Sequence, residues 1–291
     1  MTIPHLYFTL LGITSGILGV ILVTLVMAKV RSGRTRVHRM TSSSRSLIRA
    51  TYRRRTLQRI RAVEQIGALR RRGEVWRLEE LLSDRDTDVR IAAAQALGKL
   101  KTPTAAWALV KGLERAALPE AWLIEQLGKA WAADVITDAL VDPQLLAIRA
   151  HLCEAAGLAL AVEAERSLLQ MLRIGTSVER TSAARALRLI GSHTATRHLI
   201  RALDDASPQV RSEAALALGE IADPGSVFAL ERALHDPDWW VQANAATALA
   251  KLGRRGRRAL GRLLMHPDRV TRERAREVIS TAALDEDRVA A

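Results

Sequence analysis

The chain is poor in cysteine and in aromatic residues. Cys153 is the single cysteine among 291 residues, and only 3% of the residues are Phe, Trp or Tyr. One thiol excludes an intrachain disulfide and a cysteine-based zinc site, and it fits a reducing compartment. Scarce aromatic residues together with abundant Ala and Leu favour helices over an all-β fold. Since 48% of the residues are nonetheless hydrophobic, the chain can bury a sizeable core.

Positive charge is concentrated in one segment. The net charge of +13 at first suggests a nucleic-acid binder. Residues 29–77, however, contain sixteen Lys or Arg against two Glu, so the remainder of the chain is close to neutral. The segment follows an apolar stretch and contains one residue of the Tyr or Phe type, Tyr52, for base stacking. This arrangement favours a membrane surface as the partner of the basic segment and disfavours nucleic acid.

The N-terminal segment predicts a membrane helix. Residues 6–28 form a run of 23 residues without a charge, and such a helix spans roughly 34 Å. Because basic residues follow this stretch and none precedes it, an uncleaved anchor is favoured over a signal peptide. The positive-inside rule then predicts a single-pass membrane protein, with its N-terminus outside and the rest in the cytoplasm. Gly12 and Gly16 indicate either helix dimerisation or the general abundance of Gly in membrane helices.

The residues after this span predict a solvated tether. Residues 31–46 are rich in Ser, Thr, Gly and Arg, a composition with little to bury. Basic side chains beside an anionic leaflet attract lipid headgroups by about 1 kcal/mol each, although the same charges also act as a topology signal. The predicted lipid-contacting residues are Lys29, Arg31, Arg34, Arg36, Arg39 and Arg45.

Most of the remaining chain repeats with a period of about 30 residues. The segments VRIAAAQALGKL (89–100), VRSEAALALGEI (210–221) and VQANAATALAKL (241–252) each begin with Val and have Leu eight positions later. The first position of this template is called the anchor below. Anchors recur at spacings of 29 to 31 residues, which predicts eight units. They are Gln58, Val89, Pro119, Ile148, Glu179, Val210, Val241 and Val270.

Each unit is predicted to be a helical hairpin. The spacing accommodates two helices of about a dozen residues and two short turns. Residue types that cap helix N-termini stand three positions before four anchors, at Asp86, Thr176, Ser207 and Asp238. One hairpin cannot bury its apolar face alone, whereas stacked hairpins can. We therefore predict an all-α solenoid with a concave surface.

The template resembles a known repeat. The pattern D-x-D-x-x-V-R-x-x-A-A-x-A-L-G, as in DRDTDVRIAAAQALGKL, is similar to the short bacterial HEAT repeats first noted in phycobilin lyases, over roughly residues 47–280. The resemblance implies a HEAT-repeat α-solenoid and, because most members are scaffolds or adaptors, protein binding. The predicted organisation is an extracytoplasmic N-terminus (1–5), a transmembrane helix (6–28), a basic linker (29–46), the solenoid (47–283) and a tail (284–291).

An arginine follows many anchors. We expect these arginines to form a structural ladder by reaching acidic turn residues of adjacent units, such as Asp84, Asp142 and Asp205; a role in binding is the alternative. The ladder residues are Arg59, Arg90, Arg149, Arg180 and Arg211.

The sequence gives little support for an enzyme. Deoxyhypusine hydroxylase, a HEAT-like relative, binds two irons through paired His-Glu steps, and this chain contains no His-Glu dipeptide. A HEAT-like DNA glycosylase implies a basic groove, whereas the predicted solenoid beyond residue 77 is near neutral. P-loop, GxGxxG, HExxH and GxSxG motifs are not found either. We therefore expect no enzymatic activity, cofactor or metal, and we expect Cys153 to be a buried structural thiol.

Two features are candidate partner-binding sites. Trp239 and Trp240 begin a helix, and because adjacent positions lie about 100° apart, both rings cannot be buried in one stripe. The segment GRRGRR (253–258) is interpreted as a turn between helices, either solvated or bound to an acidic partner. Its basic residues are Arg254, Arg255, Arg257 and Arg258.

The sequence and the resemblance together therefore predict a protein of the bacterial inner membrane, a membrane-anchored cytoplasmic scaffold or adaptor that binds an unidentified protein. The alternative is an assembly or regulatory subunit of a membrane enzyme such as a glycosyltransferase. A lyase or DNA glycosylase of the HEAT-like type is the disfavoured rival from another class. The sequence leaves the oligomeric state open.

Overall fold

The structure, a computed structural model, describes residues 44–265 and, beyond them, Arg269, Arg272, Glu273 and Arg276. The predicted membrane span 6–28 with its GxxxG step, the basic residues between positions 29 and 39, and the eighth anchor lie outside the described residues. Arg45 is described and is exposed.

The described part of the chain is all-helical. Its α-helices are α1 (Ser44–Thr51), α2 (Thr56–Ala68), α3 (Val75–Leu81), α4 (Thr87–Leu100), α5 (Pro103–Glu114), α6 (Glu120–Leu127), α7 (Ala133–Val141), α8 (Arg149–Ala159), α9 (Glu165–Ile174), α10 (Ser177–Ile190), α11 (Thr196–Ala202), α12 (Pro208–Ile221), α13 (Val227–Ala233), α14 (Trp239–Lys251) and α15 (Gly253–Leu263). Short 3₁₀ helices span Arg72–Glu74, Ala130–Ala132, Pro143–Ile148, Val162–Ala164, His193–Ala195 and Pro224–Ser226.

The helices from α2 onward form seven hairpins that stack in two layers. The even-numbered helices α2 to α14, here called anchor helices, each contact the next anchor helix. The odd-numbered helices α3 to α15, here called return helices, form the second layer and pack against the anchor helices. Buried Leu, Ala, Val and Ile side chains from both layers make one continuous core. This confirms the predicted all-helical solenoid.

Small residues let the anchor helices approach one another closely. A Cβ atom added to Gly67 would lie 2.9 Å from the Cα atom of Ala96 on the next anchor helix. A Cβ atom added to Gly219 would lie 2.6 Å from the Cα atom of Ala248. Real Cβ atoms do not come so near to a backbone atom, so glycine is required where these backbones meet. The Ala-rich and Gly-containing template is therefore a packing signal.

Capping side chains set the start of several anchor helices. Asp86 accepts a hydrogen bond from the N–H of Asp88, and Thr176 forms a capping box with Glu179. Ser207 was expected to cap α12 in the same way. It stands at the N-cap position, but its hydroxyl donates to the side chain of Gln209 instead.

The third and fourth units depart from the regular template because proline occupies key positions. Pro119, the predicted third anchor, is the N-cap of α6, which has only eight residues. Pro143 opens a 3₁₀ segment that ends at Ile148, so α8 begins one residue after its anchor. Since proline is tolerated at a helix start and not in its interior, both helices begin later than the others.

Helix α1 is joined to the first hairpin by a buried arginine. The guanidinium of Arg77 on α3 donates from Nε to the Thr51 hydroxyl at 2.8 Å and from Nη2 to the Thr51 carbonyl at 3.2 Å. The same group lies 3.6 Å from the centre of the Tyr52 ring and pairs with Glu80. Helix α1 therefore begins inside the segment predicted to be a linker and covers one end of the stack.

The predicted localisation, a single-pass membrane protein with a cytoplasmic solenoid, is contradicted. Among the described residues no helix has the length and apolar character needed to cross a bilayer. The longest of them have 14 residues, a length of about 21 Å against a hydrocarbon core of about 30 Å.

Candidate protein-interaction surface

Two tryptophans at the start of α14 form an exposed aromatic pair. Trp239 and Trp240 remain 51% and 60% exposed. Their ring centroids are 4.5 Å apart with an interplanar angle of 82°, an edge-to-face arrangement. Sequence reasoning required at least one exposed ring, and the structure exposes both. The pair therefore presents a large apolar surface to solvent on a helical element.

A network of charged side chains fixes the turn that carries this pair. Asp238 caps α14 by accepting hydrogen bonds from the N–H groups of Trp240 and Val241. Asp236 accepts from the N–H of Asp238 at 2.8 Å and is held by Arg211 of the preceding unit through two contacts of 2.7 and 2.8 Å. Because the turn is tied to the neighbouring repeat, the two rings project from a preorganised backbone.

The electrostatics of Asp236 agree with this geometry. Burial by itself would raise the pKa of the carboxyl group. The hydrogen bonds from Arg211 and from the N–H of Asp238 outweigh that effect and hold the pKa below its ordinary value. Asp236 therefore stays ionised, and the ion pair that supports the tryptophan turn persists at neutral pH.

Two aliphatic residues occupy the same repeat position as Trp240. Leu57 and Val178 also stand one residue before an anchor and are 62% and 63% exposed. Asp88 and Gln209, at this position in other units, are polar and exposed. Sequence analysis missed Leu57 and Val178, and the signal that could have revealed them is an apolar residue where the template tolerates polar ones. The apolar surface on this edge is therefore interrupted, and the tryptophan pair is a local feature.

The basic segment GRRGRR forms helix and does not form the predicted turn. It begins at Gly253, whose φ of 62° allows the chain to reverse, and makes up the first six residues of α15. The arginines in it, Arg254, Arg255, Arg257 and Arg258, are all exposed. They follow the C-terminus of α14, whereas the tryptophans stand at its N-terminus, about 20 Å away for a helix of 13 residues. The structure therefore does not bring the two candidate features together.

The arginines after the anchors mostly bind acidic groups of the following unit. Arg180 contacts Asp205 through two distances of 2.7 Å, and Arg59 lies 3.0 Å from Asp84. Arg211 holds Asp236 as described above, and Arg149 pairs with Glu179 at 2.7 Å. Arg90 instead donates to the Asp84 carbonyl and the Thr87 hydroxyl. Asp142, named above as a ladder acceptor, caps the following turn through the N–H of Gln144.

These contacts give the arginine ladder a structural explanation. The guanidinium groups of Arg59, Arg180 and Arg211 each connect the turn before one anchor helix to the turn before the next. For Asp205, burial would raise the pKa, but hydrogen bonds from Arg180 and the Ser207 N–H lower it. The side chains of Arg59, Arg180 and Arg211 are therefore bound by acidic groups of the next repeat.

Metal-ligand clusters and the single thiol were two possible sources of chemistry in the described residues. No group of three or more His, Cys, Asp or Glu side chains suited to a metal ion occurs among them. Cys153 is buried on α8, and burial raises the pKa of its thiol to about 12. A thiol in this state is protonated and inaccessible, so it is not an activated nucleophile.

The stacked hairpins and their sequence template correspond to a recognised family. The HEAT-repeat family model matches residues 54–128 and 196–280, together more than half of the chain. The chain belongs to the HEAT-repeat family. A second model, the phycobilisome-lyase HEAT-like repeat, matches residues 179–205, as the sequence template predicted. HEAT-repeat solenoids are suited to protein interaction because their stacked helices present an extended surface.

Three solved structures that match the chain are distantly similar to it. An engineered protein is 19% identical over 82% of each chain, with a TM-score of 0.43. Human deoxyhypusine hydroxylase in complex with glycerol is 20% identical over 75% of this chain and 99% of that chain, with a TM-score of 0.36. The complex of CpcE and CpcF of phycocyanin lyase from Nostoc is 17% identical over 86% and 98%, with a TM-score of 0.32. No curated protein matches the sequence.

Proposed function

We propose that this HEAT-repeat protein is a scaffold or adaptor that binds a partner protein through the tryptophan pair at the start of α14. The observation that carries the proposal is the exposure of both rings on a turn held by the Arg211–Asp236 ion pair. Tryptophan is the residue most enriched at binding hot spots, and a preorganised aromatic pair loses little conformational entropy on binding.

The chemistry of the turn indicates the kind of partner surface. Two edge-to-face rings offer an exposed apolar area, while Asp236 and Asp238 already have protein partners. A complementary surface therefore needs an apolar pocket. Removing one such ring from an interface costs about 2 kcal/mol or more, which corresponds to roughly a 30-fold loss of affinity.

Site-specific crosslinking in the native cell tests this proposal. A photoreactive p-benzoylphenylalanine replaces Trp240 in the full chain, and the matched control carries it at Phe228, an exposed aromatic residue on the return helix α13. We expect a discrete adduct from position 240 and none from position 228. The captured protein is then purified and its affinity for the wild-type chain and for Trp240→Ala is measured by calorimetry.

Two outcomes would contradict the proposal. The first is crosslinking of the same proteins from both positions, since that indicates proximity without a specific surface. The second is an affinity of Trp240→Ala equal to that of the wild type. Thermal unfolding of Trp240→Ala serves as the folding control, and we expect it to match the wild type because the replaced ring is largely exposed.

A further inference from the structure

Several neighbouring return helices are joined by ion pairs. Lys111 on α5 lies 3.0 Å from Glu79 on α3, and Arg232 on α13 lies 3.0 Å from Asp204 in the turn after α11. Arg262 on α15 pairs with Glu231 on α13. In each case a cation on one return helix meets an acid on the preceding return helix or in the turn that follows it. The surface between these helices is therefore electrically balanced.

The surface between α9 and α11 has no such ion pair among the described residues. Asp204 stands 25 residues after its anchor and Arg232 stands 22 residues after the next anchor. One unit earlier, the same two positions are occupied by Arg173 and Arg201. An arginine thus replaces the acid, and two like charges take the place of an ion pair. Such a juxtaposition is unfavourable unless an anion is bound between the charges.

A groove of about 410 Å³ lies at this position. It is lined by Arg166, Leu169, Gln170, Arg173, His198 and Arg201. No carboxylate among the described residues lines it, and no described acid forms an ion pair with any of the three arginines. The groove therefore gathers three permanent positive charges and an imidazole ring without a protein counter-charge.

The side chains suit an oxyanion. Arg166, Gln170 and Arg173 recur at intervals of four and three residues, which places them on one face of α9. Guanidinium groups donate paired N–H groups in a fixed fork that matches phosphate oxygens. His198 lines the groove, and its Nδ1 atom is buried and has no hydrogen-bond partner among the described residues.

We propose that the groove between α9 and α11 binds a phosphate group through Arg166, Arg173 and Arg201. A dianion is favoured over a single carboxylate because one negative charge would leave most of the positive charge uncompensated. Free phosphate and a phosphate monoester present the same group, and both fit an open groove of this volume. The site lies on the return layer and involves none of the residues of the tryptophan turn.

The test measures binding of inorganic phosphate and of glycerol 3-phosphate to the purified full chain by calorimetry and thermal unfolding. Arg173→Asp recreates the pairing that Asp204 makes with Arg232, so this variant is expected to fold with at least wild-type stability in the absence of phosphate. Its affinity for phosphate should fall by at least about tenfold, because one charge-assisted contact is lost and a negative charge is added.

The matched control is Arg197→Asp, the same change at an exposed position of α11 that does not line the groove. We expect its phosphate affinity to stay within about twofold of wild type. Arg201→Gln, a neutral variant, provides a second loss of binding should Arg173→Asp fail to fold. Acetate at matched ionic strength measures general charge effects.

Binding of both probes supports a monoester ligand, and binding of inorganic phosphate alone supports a free anion. The proposal is overturned if neither probe binds, if acetate gives the same response, or if Arg173→Asp and Arg197→Asp lose affinity equally. Because no partner protein is present in this experiment, its result is independent of the proposed adaptor function.

Discussion

Replacement of Gly219 by Ala tests the close packing of the anchor helices. By intrinsic propensity, a Gly-to-Ala change inside a helix stabilises it by about 1 kcal/mol. The added Cβ atom, however, would lie 2.6 Å from the Cα and 2.7 Å from the Cβ of Ala248. Ordinary carbon contacts require about 3.5 to 4.0 Å, so α12 and α14 must separate by about 1 Å.

The steric effect is expected to outweigh the gain in propensity. A separation of this size removes about a quarter to a half of the dispersion energy of the affected contacts, and overpacked sites typically cost about 1–3 kcal/mol. The added Cβ atom would meet the backbone and the short side chain of Ala248, and neither can rotate away. The steric cost is therefore expected near the upper end of this 1–3 kcal/mol range, about 3 kcal/mol. We therefore expect a net destabilisation of about 2 kcal/mol, which corresponds to a fall in Tm of about 4–8 °C.

Thermal and urea unfolding followed by circular dichroism measure this effect. The control is Gly261→Ala on α15, where a Cβ atom would meet nothing within 4 Å. That variant should be as stable as the wild type or more stable, by up to about 1 kcal/mol. If Gly219→Ala unfolds at or above the wild-type midpoint, the close approach does not limit the residue at this position and the packing argument is refuted.

Three further predictions concern the ion pairs and the thiol. Asp236→Asn removes a charge that Arg211 contacts twice, and we expect it to destabilise the fold by about 2 kcal/mol in urea unfolding. Because the arginine hydrogen bonds lower the pKa of Asp205 and Asp236 in the folded state, their stabilisation is present above the unfolded pKa of about 3.9 and is lost as the pH falls through the folded pKa. The Tm should therefore fall steeply below about pH 4. Cys153, buried with a pKa of about 12, should resist iodoacetamide at pH 8 until urea unfolds the chain.

Each of these has a direct control. Asp204→Asn removes an exposed ion pair with Arg232 and should cost less than about 1 kcal/mol, so an equal loss in both variants would contradict the special role of Asp236. In the pH series, the Asp236→Asn variant should lose less stability on acidification than the wild type, and parallel curves would count against the assigned pKa. Alkylation of Cys153 at the rate of a free thiol would show that the α8 region opens readily.

The hairpins themselves follow from short-range signals in the sequence. The Val-to-Leu spacing, the N-cap residues Asp86, Thr176 and Asp238, and the Ala-rich faces predict where the anchor helices form, because each signal acts within one or two turns of helix. The same reasoning fails at Ser207, whose hydroxyl finds a different acceptor in Gln209. The interpretation of GRRGRR as a turn is also wrong, because Gly253 alone reverses the chain and the arginines after it lie in the first turns of α15.

The surface could be predicted only in part. The adjacent tryptophans indicated an exposed ring from helix geometry alone, but the exposure of both rings depends on the turn that Arg211 and Asp236 fix from the preceding unit. No sequence motif indicates the groove between α9 and α11. It can be recognised only by comparing neighbouring return helices, because what distinguishes Arg173 is the lack of an acidic partner and not its residue type.

The sequence by itself determined that the chain is helical, that it repeats about every 30 residues and that its hairpins stack, because propensity, capping and periodic apolar residues are local properties written in each unit. The tertiary structure decided which charges are paired and which remain unpaired, since ion pairs between return helices join residues about 30 positions apart. It also decided how closely the anchor helices pack, because the contact between Gly219 and Ala248 depends on two units at once. Relations between neighbouring repeats, and not the repeat itself, distinguish the surfaces of this protein.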